Sequence, residues 1–346
     1  MNIGIQLAER RLIPNPLIRR GIRDLLRKRL AEESAREDAE RRALRRFVAQ
    51  MAEAPVALAT DAANAQHYEV PAAFYEKVLG AQLKYSSGYF AGEHVSLDEA
   101  EEAMLTLTAR RAELADGQRI LELGCGWGSL TLWMARRFPN ARIVAVSNSS
   151  SQRRHIQGRA EAEGLSNLTV LTVDMNDFSI DQTFDRVVSI EMFEHMRNWQ
   201  QMLARIRGWL EPDGRLFLHF FAHRHFVYPF ETAADDDWMG RHFFTGGMMP
   251  AADLLEHLEM PFEIEARWDV DGTHYQRTAD AWASNLQRRR DELVELLSAD
   301  VGRREARRLV QRWLIFFNAC AELFGYENGR EWLVCHYRLA PRASEV

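Results

Sequence analysis

The sequence is poor in cysteine and has no long apolar run. Its 346 residues include three cysteines, Cys125, Cys320 and Cys335, which lie far apart. They give no zinc-binding spacing and fit a reducing compartment, so we expect a cytoplasmic protein. No stretch approaches about 18 consecutive apolar residues, which excludes a transmembrane helix. The N-terminus has no apolar core followed by a small-residue cleavage site, which argues against a signal peptide.

The chain as a whole also lacks an excess of positive charge, although its N-terminus does not. The net charge is −6, but residues 1–50 carry 13 Lys/Arg against 7 Asp/Glu, a local net charge of +6. A globally acidic chain is a poor candidate for nucleic-acid binding, so no nucleic-acid partner is expected. The basic N-terminal segment leaves contact with an anionic surface open.

The N-terminal segment predicts an amphipathic basic helix. Asn15 is a favourable N-cap and Pro16 suits the first helical turn. Apolar residues then recur at helical spacing with arginines between them: Ile18, Ile22, Leu25, Leu26 and Leu30. The helix either packs on the main domain or lies on a membrane surface through residues 10–30. We assign residues 1–60 to this basic arm and residues 61–346 to one main domain.

Strand and helix signals alternate through the first half of the main domain. Ser96-Leu97-Asp98-Glu99 is a capping box that opens a helix extending to about Leu114. Strands are predicted at Arg119–Leu123, Arg142–Ser147, Leu168–Val173, Arg186–Ile190 and Leu216–Phe220, with helices at Leu130–Phe138, Gln152–Glu163 and Trp199–Leu210. Strands separated by helices pair in parallel through right-handed crossovers. This pattern predicts a Rossmann-like, doubly wound α/β sheet with its ligand at the carboxyl ends of the strands.

The second half of the chain departs from this rhythm. Residues 224–250 are rich in aromatic, methionine, glycine and acidic residues, and we interpret them as an inserted lid. Residues 279–324 are strongly helical and form a predicted cap, with Trp313, Phe316, Phe317 and Phe324 as core. A last strand is predicted at Glu331–Leu339.

The loop after the first predicted strand carries the strongest functional signal. It reads Glu122-Leu123-Gly124-Cys125-Gly126-Trp127-Gly128 and leads into a helix. Glycines let a backbone approach a ligand closely. The G-x-G-x-G spacing and the acid two residues before the first glycine disfavour a pyrophosphate and favour the cationic methionyl group of S-adenosylmethionine. Asn148 after the second strand suits ribose hydroxyls, and Asp174-Met175 after the third suits adenine.

Several stretches together resemble a known enzyme family. They are His67-Tyr68-Glu69-Val70-Pro71, Leu83-Lys84-Tyr85-Ser86, the glycine loop, Glu191-Met192-Phe193-Glu194-His195-Met196, Asp236-Asp237-Trp238, Ala321–Tyr326 and Asn328–Trp332. Residues 65–340 are similar to the cyclopropane-fatty-acid-synthase superfamily of methyltransferases, and most similar to its coclaurine N-methyltransferase branch. The resemblance implies a seven-stranded methyltransferase sheet with N-terminal helices and a helical lid and cap.

The resemblance also implies residue roles. It assigns S-adenosylmethionine binding to Tyr85, Ser86, Gly124, Gly126, Asn148, Gln152 and Asp174, beside which the loop and strand ends supply Glu122, Cys125, Gly128, Met175 and Ile190. It places Glu191, Glu194 and His195 in an amine pocket as candidate catalytic residues. An alkylamine is mostly protonated at neutral pH, so a base helps methyl transfer. Trp238, Phe243, Phe244 and Trp332 could surround a cationic or aromatic amine, although core packing explains each of them as well.

One departure from the family separates two functions. The resemblance implies that lipid-modifying members bind bicarbonate as a base through a cysteine after the Tyr-Ser pair and a tyrosine in the C-terminal helix. This chain has Ser87 at the first position and Ile315-Phe316-Phe317 around the second, which leaves Glu194 and His219. Losing two ligands weakens the binding of a buried anion. We therefore expect an N-methyltransferase for a small, aromatic amine, with lipid modification on unsaturated acyl chains as the alternative.

The remaining expectations concern metals and assembly. His219, His223 and His225 lie on and after the fifth predicted strand without companion ligands at metal spacing, so no metal is expected. The expected partner is a small-molecule acceptor. A homodimer and membrane contact through the basic arm are left open.

Overall fold

The computed structural model describes residues 3–38, 41–58, 70–232 and 237–342. Within these ranges, five helices precede the sheet: α1 (Ile3–Glu9), α2 (Asn15–Arg36), α3 (Arg42–Glu53), α4 (Ala72–Val78) and α5 (Leu97–Arg111). The predicted capping box opens α5, because Ser96 accepts the amide of Glu99 and the Glu99 side chain accepts the amide of Ser96. No helix within these ranges is long and apolar enough to cross a membrane.

Strands and helices then alternate as predicted. Their order is β1 (Arg119–Leu123), α6 (Ser129–Arg137), β2 (Arg142–Ser147), α7 (Ser150–Ala162), β3 (Leu168–Thr172), β4 (Phe184–Ile190), α8 (Trp199–Trp209) and β5 (Leu210–His223). The five strands pair in parallel, with β1 between β2 and β4. Their carboxyl ends therefore meet at one edge of the sheet.

The rest of the chain completes the sheet and covers that edge. It comprises β6 (Tyr228–Pro229), α9 (Trp238–His242), β7 (Met248–Met249), β8 (Phe262–Val270), α10 (Gly272–Arg288), α11 (Arg290–Val301), α12 (Arg303–Phe324) and β9 (Trp332–Pro341). The seven main strands run in the order β3-β2-β1-β4-β5-β9-β8, the seven-stranded methyltransferase sheet that was expected. Only β9 runs antiparallel to its neighbours β5 and β8.

The structure corrects three details of the sequence interpretation. Strand β8 had no counterpart among the predicted elements. The fifth strand begins at Leu210, so Pro212-Asp213-Gly214 lies inside a strand instead of separating a helix from one. Pro14 occupies the N-cap position of α2, and the side chain of Asn15 accepts a hydrogen bond from Asn318 at 2.7 Å instead of capping the helix.

The hydrophobic core lies on both faces of the sheet and continues beneath the cap. One cluster joins the sheet to α3 and α8, and a second joins the N-terminal helices, the lid segment and α10 to α12. The aromatic residues predicted as cap core, Trp313, Phe316, Phe317 and Phe324, are all buried in the second cluster.

The basic arm packs on the cap. Ile18 is buried, and Arg19 and Arg23 both form ion pairs with Glu322 of α12. The predicted boundary at residues 60 and 61, and the quoted residues His67-Tyr68-Glu69 and Asp236, lie outside the described ranges.

Candidate functional site

The loop after β1 adopts the conformation that its glycines allow. Gly124, Gly126 and Gly128 all have positive φ values of 79°, 52° and 83°. The amides of Gly124 and Cys125 both donate to the carbonyl of Val146 at 3.0 Å, which ties the loop to the end of β2. A Cβ atom on Gly126 would have no neighbour within 4 Å, so the backbone faces open space there. A ligand can therefore approach this peptide directly.

The acid before the glycines is held inside the protein. Glu122 is 2% exposed, and its carboxyl accepts a hydrogen bond from the Thr131 hydroxyl at 2.5 Å. Burial raises the pKa of Glu122 to about 8, against the opposing effect of that hydrogen bond. A buried carboxyl group facing a cavity suits a cationic ligand group, which would stabilise its charged form.

Most of the predicted cofactor-binding residues line one cavity. They are Tyr85, Ser86, Glu122, Gly124, Cys125, Gly126, Asn148, Gln152, Met175 and Ile190. Gly128 and Asp174 lie outside this lining. A Cβ on Gly128 would meet Ile156 at 2.6 Å, so this glycine allows the helix–loop packing. Asp174 accepts the amide of Asn176 at 2.8 Å and so caps the turn after β3.

The same cavity wall offers hydrogen-bond donors without a partner. Trp127 Nε1, Ser129 Oγ and the Gln152 side-chain nitrogen are buried and make no hydrogen bond within the described part of the chain. Buried polar groups are normally satisfied, so unpaired donors on a cavity wall indicate a ligand with acceptors. S-adenosylmethionine has a carboxylate, ribose hydroxyls and ring nitrogens, and therefore fits these residues and the carboxyl of Glu122.

Glu191 lies at the end of β4, on the other side of the cavity. Its φ of +47° is a strained backbone conformation for a residue other than glycine. Its amide donates to the His219 carbonyl at 2.7 Å. The Ser87 amide and His219 Nε2 each approach Oε1 at 3.1 Å, and the Tyr275 hydroxyl donates to Oε2 at 2.6 Å. Backbone and side chain of Glu191 are therefore both fixed in position.

The two other predicted acid–base residues differ in their surroundings. Glu194 is fully buried, lies outside the cavity lining, and accepts the Phe221 amide at 2.6 Å. Burial raises the pKa of Glu194 well above its ordinary value, and the nearby Glu191 adds to this. His195 does line the cavity, and burial lowers its pKa to about 4 despite the opposing charge of Glu191. At neutral pH, His195 is therefore a neutral imidazole, whereas burial favours the protonated form of Glu194.

An aromatic wall completes the cavity, but it is not the wall that the sequence indicated. Of the four predicted aromatic residues, only Phe244 lines the cavity, where its ring is stacked 5.3 Å from that of His195. The other three point into packed regions: Trp238 donates to Glu9, Phe243 stacks on Phe316 and Trp332 donates to Tyr228. The structure adds aromatic residues that the sequence analysis did not assign to the pocket: Phe221, Tyr275, Trp282 and Phe316.

Lys84 is a further polar residue that the sequence analysis did not assign to the site. It is buried, lines the cavity, and its ammonium group donates to the Ser86 hydroxyl. Burial lowers its pKa to about 8, although Glu191 and Glu101 oppose this. A single lysine in a loop resembles a solvent-exposed residue in sequence, so only the fold could reveal its burial.

The side chains of His219, His223 and His225, on and after β5, have different partners. His223 lies near Glu331, and Arg41 contacts His225. Among the described residues, no group of three or more His, Cys, Asp or Glu side chains could hold a metal ion.

Comparison with known proteins agrees with the fold. The family model of mycolic acid cyclopropane synthetase matches residues 58–331. The chain is 36% identical over 285 residues to (S)-coclaurine N-methyltransferase of Thalictrum flavum subsp. glaucum, covering 81% of this chain and 79% of that protein. It is 27% identical to cyclopropane-fatty-acyl-phospholipid synthase of Escherichia coli strain K12, covering 79% of this chain and 67% of the relative.

A solved structure extends the similarity over nearly the whole chain. The crystal structure of coclaurine N-methyltransferase bound to N-methylheliamine and S-adenosylhomocysteine has a TM-score of 0.93 and 33% sequence identity. It covers 97% of this chain, and the match spans 98% of that chain. The chain is therefore an enzyme that uses S-adenosylmethionine. It belongs to the mycolic acid cyclopropane synthetase family of methyltransferases, in the branch that contains the coclaurine N-methyltransferases.

Proposed function

We propose that this enzyme transfers a methyl group from S-adenosylmethionine to the nitrogen of a small, aromatic amine. One observation carries the proposal: a neutral imidazole, His195, stacks on Phe244 at the wall of the cavity that the glycine loop also lines. A neutral base beside aromatic rings suits an amine that must lose a proton before it can attack. The aromatic faces also attract the amine in its cationic form.

The proposed cofactor site comprises the ten predicted residues that line the cavity. S-adenosylmethionine, when bound, supplies an electrophilic methyl group on a sulfonium. Glu122 and the unpaired donors of Trp127, Ser129 and Gln152 would hold its polar groups, since each faces the cavity. The open space before Gly126 would let the cofactor lie against the backbone.

The proposed acceptor site assigns a different task to each polar residue. His195 accepts the amine proton, because its pKa of about 4 keeps the imidazole neutral at neutral pH. Glu191 directs the amine nitrogen, because its carboxyl group lines the cavity in a fixed position. Glu194 is the weaker candidate for the base, since burial disfavours its charged form and its carboxyl group is turned to the Phe221 amide. Glu194 would instead hold β5 against the short helical turn Phe193–His195.

The structure offers less support for lipid modification. The Ser87 hydroxyl donates to the carbonyl of Gly88, so it does not point into the cavity as an anion ligand would. Phe316, in the stretch where a tyrosine was expected for bicarbonate binding, lines the cavity with an apolar ring. The lipid alternative remains the comparison against which the proposal is tested.

The test uses cofactor with a labelled methyl group and two sets of acceptors. Heliamine is the first amine probe, because the similar crystal structure holds its N-methyl form. Vesicles of unsaturated phospholipid, with and without bicarbonate, are the second set. We expect label on the amine without added bicarbonate, and activity confined to bicarbonate-dependent lipid labelling would overturn the proposal.

Variants separate the three polar residues. His195→Ala should lower turnover by roughly 100-fold, the scale of lost general-base catalysis. Affinity for S-adenosylhomocysteine should be retained, because the glycine loop is untouched. Glu194→Gln should lower turnover less, since the side-chain oxygen of glutamine can still accept a hydrogen bond from the Phe221 amide. Equal losses in the two variants would return Glu194 to the role of base.

We further propose that the outer face of the basic arm contacts an anionic membrane surface. Leu17 and Leu25 are exposed on α2, with Arg20, Arg27 and Lys28 close to them on the surface. Exposed leucines flanked by basic residues are typical of interfacial helices. The domain boundaries, the cytoplasmic location and the homodimer stay predictions. A measurement of molecular mass in solution tests for the homodimer.

A further inference from the structure

Two buried histidines lie behind the candidate site, on the side away from the cavity. His219 on β5 and His336 on β9 face each other directly in the antiparallel ladder. Both are 1% exposed or less, and their ring centroids are 4.6 Å apart. Neither lines the cavity, so neither would touch cofactor or acceptor. Two buried imidazoles that share a hydrogen bond need one facing ring nitrogen to carry a proton and the other to accept it.

Their hydrogen bonds form one continuous chain. Arg111 Nη1, at the end of α5, lies 2.8 Å from His336 Nδ1. His336 Nε2 lies 2.9 Å from His219 Nδ1, and His219 Nε2 lies 3.1 Å from Glu191 Oε1. The four residues come from α5, β9, β5 and the position directly after β4.

The guanidinium fixes the direction of every bond in the chain. Arginine can only donate, so His336 Nδ1 must accept and its proton must lie on Nε2. That proton points to His219 Nδ1, so the proton of His219 must also lie on Nε2, where it points to Glu191. The tautomer of each ring is thus set by the bond at its other nitrogen. Burial lowers the pKa of both histidines well below the ordinary value, with Arg111 adding to the effect, so both rings are neutral.

Arg111 is positioned for this task. Its guanidinium lies 4.9 Å from the Trp268 ring and forms no ion pair with any described acid. The carbonyl of the same residue accepts a hydrogen bond from Arg338 at 3.2 Å, which anchors the end of α5. The donor to His336 is therefore not drawn away by a carboxylate.

The chain acts on the charge of Glu191, which is under opposing influences. Burial raises the pKa of Glu191, and Lys84, the hydrogen bond from Tyr275 and that from Ser87 lower it. The titratable or charged groups around it, taken from each packed element, are Lys84, Glu194, His195, His219, Tyr275 and, in α12, Cys320. A proton donated by His219 favours the ionised carboxylate, whereas a lone pair at that nitrogen would require a protonated one.

We infer that Arg111 and His336 are positioning residues that lock His219 as a hydrogen-bond donor to Glu191 and so keep the Glu191 carboxylate ionised toward the acceptor amine. The inference rests on the proposed function for the role of Glu191, but the proton arrangement itself does not. Without the donor from His336, the His219 ring can exchange tautomers and present a lone pair to Glu191. The carboxyl would then take up a proton and lose its attraction for an ammonium group.

The first test reads the protons without reference to activity. In protein labelled with ¹⁵N-histidine, the nitrogen chemical shifts of His219 and His336 should each report a neutral ring protonated at Nε2. His336→Phe fills similar space beside Phe217 and removes both ring nitrogens, so His219 should then show a mixed or Nδ1-protonated state. His336→Gln should keep the Nε2 pattern, because its amide nitrogen can donate to His219. An Nδ1-protonated or charged His219 in the unaltered enzyme would overturn the inference.

The second test is the pH profile of kcat/KM for methylation of heliamine. A carboxylate that must be ionised gives an acid limb, and His336→Phe should move this limb to higher pH by about one unit. Arg111→Met should move it in the same direction, and His336→Gln should restore it toward the original position. A merely structural role would lower activity equally at all pH values, and that result would overturn the inference. If the unaltered enzyme does not methylate heliamine, the proposed function fails at that point while the nitrogen shifts still decide the proton arrangement.

Discussion

At the scale of single residues, the carboxyl group of Glu122 makes cofactor binding a proton-linked event. Its pKa of about 8 in the free protein means that it is mostly protonated at pH 7. The α-ammonium group of the cofactor would favour the charged form and lower this pKa, so binding at pH 7 should release a proton from Glu122. Calorimetry with S-adenosylhomocysteine in buffers of different ionisation enthalpy measures the number released.

The isosteric variant supplies the control. Glu122→Gln retains a side chain that can accept from Thr131 but has no proton to lose, so the buffer dependence should disappear and affinity should fall. The release should also shrink above pH 8, where Glu122 is already ionised. An unchanged buffer dependence in Glu122→Gln would show that the proton comes from another group, such as Lys84.

Replacing either of two glycines in the same loop by alanine should have different effects, one on ligand binding and the other on stability. A Cβ on Gly126 meets open space, whereas a Cβ on Gly128 meets Ile156 at 2.6 Å. Both have positive φ, so each alanine variant costs about 1 kcal/mol of backbone strain. Gly126→Ala should fold with little further loss and bind S-adenosylhomocysteine more weakly. Gly128→Ala should lower the melting temperature more, and equal stability of the two variants would contradict this placement.

At the scale of elements, local sequence determined regular structure better than it determined contacts. The bounds of β1 and β2 were predicted to the residue, because short apolar runs are enclosed there by turn signals. Strand β8 was missed although Phe262, Ile264, Trp268 and Val270 alternate with polar residues, a usable signal of period two. The last strand, β9, was predicted, but its antiparallel direction could not be inferred from the rule for strands separated by helices.

The candidate site also combines features that the local sequence indicates with contacts that it does not. Gly126 and Glu122 were identifiable because the loop signature is contiguous in sequence. The contact between His219 and His336 depends on a strand register between residues 117 positions apart, which no local pattern encodes. The positions of Trp238 and Trp332 could not be predicted either, since the sequence does not distinguish an aromatic residue in a pocket from one in a core.

The segment 224–250 was interpreted as a mobile lid, and the structure shows what holds part of it. Trp238 of α9 donates to Glu9 of α1 at 2.9 Å, and Arg308 and Arg312 of α12 also bind this carboxylate. Burial alone would raise the pKa of Glu9, but hydrogen bonds from Arg312, Trp238 and Arg308 outweigh it and lower the pKa to about 2. The first helix therefore ties the lid helix to the cap.

Breaking this contact should loosen α9. Glu9→Gln should cost about 1–3 kcal/mol of stability at pH 7, because the charge-assisted bonds to the arginines are lost. The contribution of a lowered carboxyl pKa is present above pH 4.5 and disappears as the pH falls toward 2, so the variant should lose less stability on acidification. Hydrogen exchange should rise in residues 237–249 of the variant. Unchanged exchange there would mean that Glu9 does not restrain the lid.

At the scale of the whole molecule, the basic arm has two faces with different roles. Its inner face contributes Ile18, the ion pairs of Arg19 and Arg23 with Glu322, and Arg29 at 5.3 Å from the Tyr228 ring. Its outer face exposes Leu17 and Leu25, which are 56% and 48% exposed. Changes to the two faces should therefore have separable effects on stability and on membrane contact.

Paired variants of the arm test this separation. Leu17→Ser with Leu25→Ser should leave the melting temperature nearly unchanged, because exposed apolar side chains contribute little to folding. The same variant should pellet less with vesicles containing anionic lipid than the unaltered enzyme does. Glu322→Gln should do the opposite: it weakens the ion pairs of Arg19 and Arg23, lowers the melting temperature, and leaves the outer face intact.

Binding of the unaltered enzyme should also weaken as salt is raised, since the attraction of Arg20, Arg27 and Lys28 to the lipid is screened. If the serine variant pellets as well as the unaltered enzyme, the outer face is not the membrane contact, and α2 serves only to complete the fold.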